Sequence, residues 1–142
     1  MDHEDVQLME HLAAISPLSL EEFCEVARSA LDLPVFEYDA GNETEWGISL
    51  KEGVEYNISR PYKEETLKNW DSTVPLGSNF GVILIFPKTG GVSALAASAL
   101  VERVGQALAT ALSTTIVHHR TWLGVGNSHP RNAAYAPQPS DA

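Results

Sequence analysis

Between residues 35 and 59, apolar side chains return at every second position in three short runs, and that period of two decides the fold class. In "VFEYD", Phe36 and Tyr38 alternate with Glu37 and Asp39; in "ETEWGISL", Trp46, Ile48 and Leu50 alternate with Glu45, Gly47 and Ser49. In "VEYNISR", Val54, Tyr56 and Ile58 alternate with Glu55, Asn57 and Ser59. Successive strand side chains point to opposite faces, so each run makes a strand with one apolar and one polar face. The linkers "AGN" and "KEG" carry tight-turn chemistry, and the three strands therefore form an antiparallel meander.

The flanking segments change period. Leu8, Leu12 and Ile15, with Val6, Met9 and Ala13 beside them, read as a helix over 3–15, and Asp2, Glu4 and Asp5 suit its first turn. Ser19 with Glu22 forms a capping box, and Leu20, Phe23, Cys24, Ala27 and Leu31 follow on one helical face until Pro34. "PYKEETLKNW" reads as a short helix or turn, and "FGVILIFP" as a central strand covered on both faces. The Ala- and Leu-rich run 92–112 is the strongest helix, and β-branched "STTIVHHRTW" is a last strand. Beyond residue 126 the composition suits a flexible tail over 127–142.

The expectation is one α+β domain over residues 1–126. Its antiparallel sheet has about five strands (35–39, 45–50, 54–59, 80–86 and 114–121), packed by the N-terminal helices and the long Ala/Leu-rich helix. Phe23, Leu31, Trp46, Ile48, Ile58, Ile83, Ile85, Leu95, Leu108 and Ile116 are the expected core.

Charge narrows the function. The net charge is −10, yet residues 1–50 hold twelve carboxylates against Arg28 alone, and the remainder nearly balances. Such a chain does not track a phosphate backbone, which needs a basic stripe, and anionic membrane surfaces are disfavoured too. The acidic third attracts something basic. No apolar run reaches the roughly 20 residues of a membrane span, and the acidic start is unlike a signal peptide. With Cys24 as the single cysteine, a cytoplasmic protein is the simplest reading.

Catalytic and metal signatures are weak. Cys24 lies on an apolar helix face, which suits a buried structural thiol rather than a nucleophile. His118 and His119 are strand neighbours and point apart, so they cannot share one metal ion. "PKTGGVS" lacks the Gly-Lys-Ser/Thr of a phosphate loop and reads as a strand-to-helix turn. No cofactor is implied. The carboxylates of the meander, Glu37, Asp39, Glu43, Glu45 and Glu55, are candidates for partner binding. They could serve as an acid–base pair, as a calcium site or merely as a solvated face. Their lack of nearby bases favours a charge-complementary interface over catalysis.

The stretch "EYNISRPYKEETLKNWDSTVPLGSNFGVILI" resembles small cytoplasmic immunity proteins of bacterial polymorphic toxins, such as those of contact-dependent growth inhibition. The resemblance extends over about residues 45–122. It implies a compact acidic α+β protein, monomeric alone, that neutralises a basic toxin, often a nuclease, as a heterodimer. It implies no enzyme activity and assigns no residue. Residues 20–59 are also similar to the helix-then-meander start of type III secretion chaperones, which are dimers. The chain departs from them after residue 90, where a long apolar helix precedes a strand. A small enzyme of unrecognised type is the third alternative.

Overall fold

A computed structural model describes residues 6–41, 43–63, 66–87, 93–124 and 127–138. Asp2, Glu4, Asp5, the Asn42 of the "AGN" linker, residues 88–92 and residues 139–142 lie outside them. Among the described residues the architecture is α+β, with seven antiparallel strands and three helices: β1 (Val6–Ala14), α1 (Leu20–Leu31), β2 (Glu37–Ala40), β3 (Thr44–Lys51), β4 (Val54–Pro61), α2 (Thr66–Trp70), β5 (Phe80–Pro87), α3 (Ala94–Leu112), β6 (Ile116–Trp122) and β7 (Ser128–Tyr135). The spatial order is β2-β3-β4-β5-β1-β6-β7.

The meander forms as its period of two requires, and the Glu52-Gly53 turn between β3 and β4 takes the left-handed backbone at both residues. α1 starts at Ser19 with both halves of the capping box made. Its C-cap Asp32 is left-handed, and Lys51 Nζ reaches back to the Leu31 carbonyl at 3.1 Å. Among the described residues, no helix is long and apolar enough to cross a membrane.

α1 packs on β3 and β4, α3 packs on β6 and β7, and the two helices pack on each other over one face of the sheet. Between them and the sheet lies the main core, including Phe23, Ile58, Phe80, Val82, Leu84, Phe86, Leu108 and Ile116. Among the described residues, the opposite face is covered by α2 and the 71–79 segment, whose Leu67 and Val74 pack on Ala13.

Four expectations are corrected. The described part of the expected 3–15 helix is not helical: residues 6–14 form the strand between β5 and β6. It is covered by helices on one side and partly by α2 on the other, so apolar residues occupy both phases and the alternation that marks a half-buried strand is lost. The sheet therefore has seven strands rather than about five. Residues 128–135 are not a loose tail but β7, paired with β6. Leu95 is not core: it is 82% exposed in the first turn of α3, while Trp46, Ile48, Ile83 and Ile85 are only half-buried because they point to the other face.

The docking of β7 has a local device. A Cβ on Gly105 of α3 would come within 2.7 Å of the Tyr135 ring at Cε2, and closer still at Cδ2. Gln106 Nε2 also donates to the Ala136 carbonyl at 2.7 Å, and Gln138 N donates to Thr110 Oγ1 at 3.1 Å. Gly105→Ala is expected to destabilise by about 1–3 kcal/mol through overpacking. Adding Tyr135→Ala should recover part of the loss. Equal melting of Gly105→Ala and the parent would show that β7 does not dock on α3.

Candidate functional site

The sheet register lays out the face that α1 and α3 leave open. One row crosses it as Glu37, Ile48, Asn57, Ile83, His11 and Arg120, each opposite the next on the neighbouring strand. A second row runs Asp39, Trp46, Ser59, Gly81, Ala13 and Val117, and a third runs Leu50, Glu55, Ile85, Met9 and Trp122. Trp46, Ile48, Ile83, Ile85, Met9 and Trp122 are half-buried, and Leu50 is 60% exposed. The open face thus carries apolar side chains on β3, and on β5 and β1, separated by the polar Glu55, Asn57 and Ser59 of β4, with carboxylates at its β2 edge and in its third row.

The five acidic candidates do not share this face. Glu37, Asp39 and Glu55 do, and none of them makes an ion pair among the described residues. Glu45 points to the helix side, 3.8 Å from Arg60. Glu43 sits in the turn before β3, where its carbonyl accepts from Tyr62 N at 3.0 Å. Of the five partner-binding candidates, three therefore lie on the open face and two elsewhere.

The middle of the open face carries a polar cluster that sequence reasoning did not find. β6 has one residue more than β1 between the pairs His11↔Arg120 and Leu12↔His118. This bulge sends two consecutive side chains, His119 and Arg120, to the same face. There they meet His11 and the segment after α2. Asp71 Oδ1 accepts from Thr73 N at 3.0 Å and from Thr73 Oγ1 at 2.7 Å, and Thr73 Oγ1 lies 2.8 Å from His119 Nδ1. The hydroxyl proton is given to the carboxylate, so His119 Nδ1–H donates to Thr73 and Nε2 holds the lone pair. Arg120 Nε stands 2.9 Å from Asp71 Oδ2, and Arg120 Nη2 donates to His11 Nε2 at 3.2 Å. Beside the cluster lies a cavity of about 210 Å³, walled by Leu67, Trp70, Val74 and Ile83.

Electrostatics fixes the charge of these groups. Burial, reinforced by Arg120 and by His119, lowers the His11 pKa to about 4. Burial likewise lowers His119 to about 4, with Arg120 adding to it and Asp71 opposing. Asp71 is shifted down: burial alone would raise it, but the two Thr73 hydrogen bonds and the Arg120 charge outweigh that. At neutral pH the cluster is one ion pair and two uncharged imidazoles. A general acid or base works best with a pKa near the working pH, so these imidazoles are poorly matched to proton transfer there. What they do visibly is clamp the 66–79 segment to the sheet.

The other candidates resolve locally. Cys24 is fully buried and its thiol is pushed up to about 12 by burial, which removes the thiolate a nucleophile needs. His118 points to the helix side, away from His119, and meets Glu10 at 3.1 Å. Among the described residues, no three ligating side chains are grouped to hold a metal ion. Neither the cavity-side cluster nor the pairing of β1 with β6 had a local signal, since Thr73 and His119 are 46 residues apart. No family model, no curated protein and no solved structure matches this chain.

Proposed function

We propose that the chain is a binding protein of the immunity type, which neutralises a basic toxin by covering it with the open face of its sheet. The observation that carries this reading is the composition of that face: apolar side chains of β3 (Trp46, Ile48) and β5 (Ile83, Ile85) on either side of the polar Ser59, Asn57 and Glu55 of β4, with Glu37, Asp39 and Glu55 making no ion pair among the described residues. Apolar centres with aromatic anchors suit the desolvated middle of an interface, and the cavity beside Trp70 offers a pocket for a partner side chain. Carboxylates held without counter-charges suit a positively charged partner, which they attract over distance. The resemblance to immunity proteins points the same way, and the two neutral imidazoles favour binding over catalysis.

An immunity protein must reach its toxin before the toxin reaches its targets, so association rate is the property to measure. Reversing Glu37, Asp39 and Glu55 to lysine together should slow association about tenfold or more at low salt and flatten its salt dependence. Glu45→Lys, on the other side of the sheet, should leave the rate nearly unchanged. Equal slowing by both sets would mean that only net charge matters and the open face is not the docking surface. The type III chaperone reading has a different signature, an obligate dimer in size-exclusion chromatography.

A further inference from the structure

The cavity of about 210 Å³ on the open face is lined by two imidazoles, His11 and His119, and by the apolar Leu67, Trp70, Val74 and Ile83. Both histidines are more than nine-tenths buried, at 8% and 4% exposure. Each ring has one nitrogen engaged. His119 Nδ1–H donates to Thr73 Oγ1, so Nε2 keeps its lone pair; His11 Nε2 accepts from Arg120, so its proton sits on Nδ1. Among the described residues, neither His119 Nε2 nor His11 Nδ1–H makes a hydrogen bond. Both rings line the cavity, so a partner for either nitrogen can come from there. The ring centroids are 6.0 Å apart and the planes are tilted by 52°. One hydroxyl oxygen, donating to one ring and accepting from the other over about 2.8–3.0 Å each, spans such a gap.

We infer, on the reading that the open face docks the partner, that this cavity seats a tyrosine of that partner, its hydroxyl donating to His119 Nε2 and accepting from His11 Nδ1–H. Charge selects against the ionic side chains. Asp71 and Arg120 already balance each other at 2.9 Å, and burial keeps both imidazoles uncharged at neutral pH. An incoming lysine, arginine or carboxylate would leave one charge unmatched in a poorly solvated site. Serine and threonine have the hydroxyl but no ring to fill the space. Phenylalanine and leucine fill it and leave both nitrogens unmet, and tryptophan offers a donor without an acceptor. Tyrosine combines an apolar body with a polar tip, which makes it frequent among interface anchors. Size agrees: a cavity of about 150 Å³ admits benzene, so one of about 210 Å³ takes a phenol ring. Trp70 lines the cavity and is 51% exposed, so an entry path runs beside its indole.

The probe is p-cresol, the tyrosine side chain as a free molecule, followed by chemical shifts on the full chain. Saturable shifts are expected at Leu67, Val74 and Ile83, with Leu108 and Tyr135 on the helix side unmoved. Toluene, which lacks the hydroxyl, and 4-methylanisole, which accepts but cannot donate, should each bind about tenfold or more weakly. All three ligands are compared on the unaltered chain, so no variant has to fold. In the complex with the partner, p-cresol should no longer shift these residues. A tyrosine in the cavity is ruled out if millimolar p-cresol moves none of them, if either analogue binds as tightly, or if the complex takes up p-cresol like the free chain. Docking on the open face is judged apart, by the lysine reversals of Glu37, Asp39 and Glu55, none of which lines the cavity.

Discussion

Phe80→Ala is expected to cost about 3–5 kcal/mol, a large share of the stability of a domain this size. Phe80 is fully buried on β5, its ring stacked on Phe23 of α1 at 4.1 Å between centroids and 15° between planes. The Arg60 guanidinium carbon stands 5.9 Å from the centre of the same ring. Removing the ring empties the joint between α1 and the sheet. Urea unfolding should show a lower midpoint with an unchanged slope. Leu95→Ala, at an exposed helix position, should stay within about 0.5 kcal/mol of the parent. Similar losses from both would mean that α1 and α3 do not pack as described.

Acid should weaken the protein before its carboxylates titrate. In the unfolded chain His11 and His119 bind protons near their ordinary value of 6.5, and in the folded protein only near 4. Between those values unfolding takes up protons, so stability rises with pH. The contribution is complete above 6.5 and is lost as pH falls to about 4. The slope is at most about 1.4 kcal/mol per pH unit for each imidazole, or roughly 3 kcal/mol apiece over the whole window. Asp71, held below its usual range, adds a further loss at lower pH still. Unfolding by urea at several pH values between 7.5 and 4.5 reads this directly. His119→Gln should reduce the slope by about half, whereas a profile flat from 6.5 to 4.5 would remove both imidazoles from the buried cluster.

The parts of the fold that were legible in the sequence are those whose pattern is local. Ser19 and Glu22 mark the start of α1, and the period of two in 36–58 marks three strands, because each signal lies within a few residues. β1 was misread for the opposite reason. As an inner strand it places Leu8, Glu10 and Leu12 on one face and Met9, His11 and Ala13 on the other, so the four-residue spacing of Leu8 and Leu12 imitates a helix. Its two polar residues hold the clue in retrospect, since Glu10 and His11 each found a polar cluster on its own face. Their partners come from 60 to more than 100 residues away, and only the three-dimensional pairing brings them together. Of the acidic candidates, alternation correctly grouped Glu37 with Asp39, but it could not tell that Glu45 points the other way, because which phase of β3 faces the helices depends on how Gly47 admits Tyr38 and Cys24.

The proposed role of the open face as a toxin-binding surface is tested most directly by co-expression with the product of the adjacent gene, scoring growth and co-purification together. The parent chain should restore growth and bring the partner down in a one-to-one complex. A variant carrying Trp46→Asp with Glu37→Lys and Glu55→Lys, checked for native melting, should do neither, because it loses both the apolar anchor and the attracting charge. Rescue and co-purification by that variant at the level of the parent would contradict the account and place the partner elsewhere on the molecule.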